Sequence, residues 1–146
     1  MAQTRADQDL GNATIVYRTV ETSTTVTVGC GVKDGNADHE CQPLAASTDL
    51  PIGIVVALGK LEGAAGDKVA VALLSGGGVA RVKTGGTATR GQSAKYAAAG
   101  GFLADCVPTA TAGTPVVTWA LGYFTHSGAS GDFVGMALNR HFLLED

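Results

Sequence analysis

The sequence has few aromatic and few charged residues. Of its 146 residues, 5% are aromatic and 16% are charged, against about 25% charged residues in a typical soluble domain. The formal net charge is −3, and the basic residues are scattered, which excludes the clustered basic surface that nucleic-acid binding requires. Low charge and a positive mean hydropathy of +0.20 favour a subunit whose surface is partly covered by neighbouring subunits.

Long apolar runs and paired cysteines are also missing. No run approaches the roughly 18–20 apolar residues that span a bilayer, so we expect no membrane association. Residues 1–9 are polar and include Arg5 and Asp7, which is unlike a secretory signal. The three cysteines, Cys30, Cys41 and Cys106, are an odd number and do not suggest a disulfide framework. We therefore expect free, mostly buried thiols in a protein made in a reducing cytoplasm.

Only four prolines accompany 21 glycines, a composition typical of many short strands joined by tight turns. The pattern predicts an all-β fold, a small barrel or sandwich of about eight to ten short strands. Residues 1–12 show no periodicity and are expected to form an extended N-terminal arm, with a single domain over 13–146. Residues 30–42 carry turn chemistry, and 43–49 could hold one helical turn. The predicted strands cover 13–20, 23–28, 52–58, 67–74, 79–84, 94–99 and 116–124, then a second Gly-Asp strand and the segment 141–144.

A ten-residue signature occurs twice, at 64–73 and at 129–138. Six positions are identical, including a Gly-Asp pair, and the apolar alternation continues where identity is lost. Side chains in a strand alternate between its two faces, so each copy predicts a turn followed by a strand. A short hydrophobic stretch precedes each copy. The repeated unit is therefore predicted to be strand, polar loop, Gly-Asp turn and strand.

The candidate metal ligands are poorly spaced. Zinc sites use tetrahedral N and S ligands, usually in pairs two to four residues apart. Here only His39 and Cys41 are close, while Cys30 and Cys106 stand apart. Buried cysteines explain the pattern better, and we expect no metal and no cofactor.

Catalytic motifs are weak as well. The glycines at 76–78 are followed by a strand and lack the Lys-Ser/Thr of a phosphate-binding loop. A triad could be assembled on paper from Ser127 beside His126, or from Cys106 beside Asp105, but adjacency in sequence does not make triad geometry. Asp67 and Asp132 recur at matched positions, where Gly-Asp is better explained as turn chemistry. We predict no catalytic residues.

The order of the motifs over residues 50–140 resembles that of the capsid cement, or head-decoration, proteins of tailed bacteriophages. The similar elements are Pro-Ile-Gly-Ile-Val at 51–55, the first Gly-Asp signature at 64–73, Val-Ala-Arg-Val-Lys at 79–83, Thr-Arg-Gly-Gln-Ser-Ala-Lys-Tyr-Ala-Ala-Ala-Gly at 89–100, Ala-Leu-Gly-Tyr-Phe at 120–124 and the second signature at 129–138. The Cys-containing segment 30–42 and the tail after residue 138 depart from the family pattern. The resemblance implies a non-enzymatic β-rich subunit, commonly trimeric, on the outside of the virion capsid.

Partners and contact residues follow from this resemblance as expectations. The partners would be the major capsid protein and other copies of the chain in a homotrimer, assembled in the host cytoplasm, with no nucleic acid and no membrane. The alternative is a trimeric β-barrel enzyme or ligand-binding module with sites between subunits. For each of the large aromatic residues Tyr17, Trp119, Tyr123 and Phe124, core packing is favoured over the competing role at an exposed interface. The candidate contact residues are Thr4, Arg5, Asp7, Leu10, Tyr17 and Trp119.

Overall fold

A computed structural model describes residues 13–56, 62–106 and 116–145 of the chain. These residues form an all-β structure, as predicted, with ten strands of four residues or more and two strands of two residues. One 3-10 turn, Leu74–Gly76, follows the seventh strand. The strands are β1 Ile15–Val20, β2 Val26–Thr27, β3 Gly31–Asp34, β4 Glu40–Pro43, β5 Gly53–Val56, β6 Glu62–Gly63, β7 Lys68–Leu73, β8 Val79–Lys83, β9 Ser93–Ala98, β10 Phe102–Cys106, β11 Val116–Phe124 and β12 Phe133–Glu145.

Five strands close into a small barrel in the order β1-β4-β3-β5-β7. All neighbouring pairs are antiparallel except β1 and β4, which pair in parallel through Thr19↔Glu40 and Val20↔Cys41. Val55 and Val71 belong to the buried cluster that also holds Cys30 and Cys41, whereas the alternate residues of the same strands pack into a second cluster. Both faces of β5 and β7 are therefore buried, which explains their nearly continuous apolar sequence.

The other five strands form a sheet in the order β10-β9-β11-β12-β8. Its two ends approach each other, because Thr84 forms a parallel bridge with Leu103 and the Gly85 N–H donates to the Leu103 carbonyl at 2.8 Å. Apolar residues of this sheet, such as Phe124 and Met136, share one buried cluster with Ile54 of the barrel. The two sheets are packed on one another through this cluster, while β2 and β6 pair separately.

Several local predictions were wrong. The segment 30–42, expected to be a turn, contains β3 and β4, which complete the barrel. The predicted strand 23–28 is reduced to Val26–Thr27, because a turn lies on either side of it, with Ser23 at a φ of +66° and Gly29 at +90°. No helical turn forms at 43–49, where Asp49 instead accepts hydrogen bonds from the N–H groups of Ala45 and Ala46 and pairs with Lys33 at 2.9 Å. The strand β10 was not anticipated.

The two Gly-Asp turns have the same geometry. In the first, the Asp67 N–H donates to the Ala64 carbonyl at 2.9 Å, and the Asp67 carboxylate accepts from the Ala64 N–H at 3.2 Å. In the second, the corresponding distances for Asp132 and Ala129 are 3.1 and 2.9 Å. The intervening Gly66 and Gly131 have φ values of +87° and +90°, as a type II turn requires at its third position. The structural interpretation of the repeat is confirmed.

A third turn of this kind lies at 89–92, where the sequence Arg-Gly-Gln is turn-like. The Gln92 N–H donates to the Thr89 carbonyl at 3.0 Å, and Gly91 has a φ of +90°. In all three turns the glycine N–H donates to the carbonyl of a residue at the end of another strand. The N–H of that same residue donates in return to the carbonyl of the fourth turn residue. The three receiving residues are Val20, Thr84 and Phe124, with distances of 2.8–3.0 Å. Each turn thus attaches one strand to the end of its neighbour.

Candidate interaction surface

Strands β11 and β12 extend beyond the rest of their sheet. Strand β9 pairs with β11 only over residues 120–123, and β8 pairs with β12 only over residues 133–137. Residues 116–119 and 141–145 therefore continue as a two-stranded antiparallel ribbon. The register shifts between Ala120 and Gly122, which pair with His141 and Leu138. Asn139 and Arg140 therefore lie opposite Leu121 alone, and β12 carries one extra residue. Bulges of this kind bend a strand and change its twist.

The ribbon carries apolar side chains on one face. Val117 lies opposite Leu144 and Trp119 opposite Phe142, and residues opposite each other or two apart in such a pair share a face. Phe142 is 59%, Leu144 55% and Val117 42% exposed. Trp119 is half-buried and meets the Phe142 ring edge-on, with centroids 5.9 Å apart. We call Val117, Trp119, Phe142 and Leu144 the apolar ribbon patch.

The loop between β4 and β5 supports this ribbon from the side. The Trp119 N–H donates to the Ser47 carbonyl at 2.9 Å. The Arg140 guanidinium donates to the Pro51 carbonyl at 3.1 Å and lies 5.9 Å from the Trp119 ring centroid. Leu50, 49% exposed, belongs to the same loop. The barrel therefore holds the ribbon in place without covering its apolar patch.

A serine–histidine pair lies at the base of the ribbon. The Nδ1 atom of His141 is 2.8 Å from the Asn139 carbonyl, which can only accept, so Nδ1 donates. In the neutral ring Nε2 then accepts from the Ser93 hydroxyl at 3.0 Å. Tyr123 stacks on the imidazole with centroids 4.6 Å apart. The Asn139 carbonyl occupies the position that a carboxylate has in a catalytic triad. The contacts of His141 with Ser93 and Tyr123 hold the bulged strand β12 against β9 and β11.

The residues that could form a triad on paper make local contacts instead. The Ser127 hydroxyl accepts from the Arg90 N–H at 3.0 Å, and His126 Nδ1 lies 2.9 Å from the Thr125 hydroxyl. Asp105 accepts from the N–H and hydroxyl of Thr89 at 2.7 and 2.6 Å. Sequence reasoning missed the Ser93–His141 contact because the two residues are 48 positions apart and meet only through sheet pairing.

The cysteines are free and buried, as expected. Burial raises the pKa of the Cys30 thiol from 9.0 to about 12 and that of Cys41 to about 11. Both thiols are therefore protonated at neutral pH and are poor nucleophiles and metal ligands. Among the described residues, no group of three His, Cys, Asp or Glu side chains is placed to hold a metal ion.

The candidate contact residues fall into two groups. Thr4, Arg5, Asp7 and Leu10 lie outside the described residues. Tyr17, on β1, is 65% exposed, and Trp119 belongs to the apolar ribbon patch. Their contact roles stay predictions.

Core packing, the role favoured for the aromatic residues, holds only in part. It is confirmed for Phe124, which is 1% exposed. It is wrong for Tyr17 and for Tyr123, which is 39% exposed.

Comparison with protein families decides what kind of protein carries this surface. The family model described as structural cement protein (E217 gp24/Pam3 gp6) matches residues 5–140. The chain belongs to the phage structural cement protein family. It is therefore a capsid-associated structural protein of the phage virion, and its family is non-enzymatic. No curated protein sequence matches the cement protein.

A solved structure shows the same fold. The N-terminal base of the head fiber gp8.5 of bacteriophage phi29 is similar with a TM-score of 0.60 at 15% sequence identity. The similarity covers 87% of the cement protein and 94% of the phi29 chain. Within its described residues the cement protein has no helix long and apolar enough to cross a membrane.

Proposed function

We propose that this cement protein binds the outer surface of the phage capsid as a homotrimer and bridges neighbouring major capsid protein subunits. The match of residues 5–140 to the cement family carries this proposal. A trimer that engages several sites at once gains avidity through effective concentration, so each contact can be modest. A protein that binds the expanded shell better than the immature shell stabilises the expanded state by that difference in affinity. The enzyme alternative is not retained, because the family is non-enzymatic.

For the shell contact we propose the N-terminal arm, residues 1–12, together with Tyr17. The arm leads into β1, on which Tyr17 is the most exposed large apolar residue of the described chain. Strand β1 pairs with β4 only at Thr19 and Val20, so among the described strands residues 15–18 pair with β7 alone. Extended arms bind by adding to exposed sheet edges. An arm that does so on a neighbouring capsid subunit would link the two proteins.

Co-sedimentation with purified shells tests this function. Wild-type protein should sediment with undecorated expanded shells in a saturable manner and should raise the temperature at which they rupture. Binding to immature shells should be weaker. A chain lacking residues 2–12 should keep its circular dichroism spectrum but bind shells less tightly. Absence of wild-type binding to expanded shells would refute the proposal, and unchanged binding of the truncated chain would exclude the arm.

A further inference from the structure

We infer that the apolar ribbon patch is a contact between copies of this chain, so that in the proposed trimer the ribbons meet one another and not the shell. This inference rests on the homotrimer proposed above and specifies which residues hold it together. Val117, Phe142 and Leu144 are three of the six large hydrophobic residues that are exposed in the described chain, and they lie on one ribbon face.

The loop between β4 and β5 supports the ribbon at Trp119 and Arg140, but its outer edge has no such support from a described strand. Two-stranded antiparallel pieces are marginally stable in water without a third strand or a packed layer. Among the described strands, β8 pairs with β12 only up to Ala137, so residues 141–145 pair with β11 alone. An apolar edge strand without blunting lysines or prolines is prone to pair with other chains, and the sequence at 141–144 is His-Phe-Leu-Leu. A specific contact removes this liability.

The charge on this surface indicates what the partner looks like. Arg140 contacts the patch, where its guanidinium donates to the Pro51 carbonyl and lies over the Trp119 ring. The four side chains of the patch are themselves uncharged. The complementary surface should be uncharged and apolar, and a second copy of the same ribbon provides it.

The order of assembly favours another copy over the shell. In the proposed function the protein binds a shell that has already expanded, so it is free in solution before it binds. A patch reserved for the shell would stay exposed throughout that time, and exposed apolar patches promote non-specific association. A contact between copies covers Phe142 and Leu144 as soon as the oligomer forms. Aromatic and aliphatic side chains of this kind dominate the cores of stable subunit interfaces.

The test is the oligomeric mass of the full chain, measured by light scattering after size exclusion. Phe142→Ser combined with Leu144→Ser should convert the oligomer to monomer, with the dissociation constant between copies raised by about 100-fold or more. Tyr17→Ser is the matched control, because Tyr17 is equally exposed but lies on the barrel, and it should leave the mass unchanged. Circular dichroism reports whether each variant is folded.

Cross-linking gives a second measurement that does not depend on a disruptive variant. Leu144→Cys should yield covalent dimers with a short bismaleimide, because each reagent joins the introduced thiols of two copies, whereas Tyr17→Cys should not; the native cysteines are buried. Equal cross-linking of the two variants, or an unchanged mass in the Phe142/Leu144 variant, overturns the inference. Loss of shell binding with retained oligomers also overturns it and makes the patch the shell contact. A monomeric wild type refutes both the trimer and the patch contact, whereas oligomers that ignore shells refute only the capsid function.

Discussion

Replacing the glycine of any of the three equivalent turns by alanine should destabilise the protein through backbone conformation alone. Gly66, Gly91 and Gly131 have φ values of +87° to +90°, and a Cβ placed on any of them would meet nothing within 4 Å. The left-handed conformation costs an L-residue roughly 1–2 kcal/mol, partly offset by the lower entropy of the unfolded alanine chain. We expect each Gly→Ala change to lower the free energy of unfolding by about 1 kcal/mol.

Two further substitutions separate conformation from packing. Asparagine tolerates a positive φ better than alanine, so Gly131→Asn should cost less than Gly131→Ala. Gly29 has the same φ of +90°, but a Cβ added there would lie 2.9 Å from the backbone nitrogen of Lys83 and 3.0 Å from the Phe133 ring. Overpacking adds roughly 1–3 kcal/mol, so Gly29→Ala should be clearly the most destabilising of the set.

Urea unfolding at one protein concentration measures these differences in the free energy of unfolding. In thermal unfolding, each kcal/mol should shift the melting temperature by about 3 °C in a chain of this length. Ser130→Ala is the control within the same turn, since Ser130 is exposed and has no positive φ; its effect should stay within about 0.5 kcal/mol. Equal stability of the Ala and Asn variants at position 131 would refute the conformational argument. Very different costs at positions 66, 91 and 131 would refute the equivalence of the three turns.

Two more predictions concern the interior. Burial raises the pKa of Cys30 to about 12 and that of Cys41 to about 11, so as the pH rises these thiols ionise in the unfolded chain before they ionise in the folded protein. The free energy of unfolding should therefore be full below about pH 9 and fall as the pH rises towards these values. Urea midpoints near neutral and near pH 10 should show this decline, and a Cys30→Ala/Cys41→Ala variant with an equally steep decline would contradict it. Gly122→Ala would place its Cβ against the Ala137 carbonyl oxygen, so we expect a loss of about 1–3 kcal/mol in urea unfolding, and a wild-type midpoint would show that the strands separate easily.

The local elements were largely predictable because their causes are local. Strand β11 was predicted with its observed bounds, Val116–Phe124, and 94–99 was correctly assigned to a strand despite its alanines. The hairpin of β3 and β4 was missed, because these strands are four residues each and contain glycine, aspartate and proline. They exist as strands because β3 pairs with β5 and β4 pairs with β1, and such distant partners leave no periodic pattern.

The sequence by itself determined the repeated turn. The glycine adopts a positive φ, and the aspartate carboxylate accepts a hydrogen bond from the N–H three residues before it, so both act within four residues. The shared Ala-x-Gly-Asp sequence therefore produces the same turn at 64–67 and 129–132. Only the tertiary structure decided where the interaction surface lies. Phe142 and Leu144 belong to the short apolar run Phe-Leu-Leu, which is also typical of a buried strand, and they are exposed because β8 and β9 end before they reach the ribbon. Exposure depends on where neighbouring strands stop, which no local pattern records.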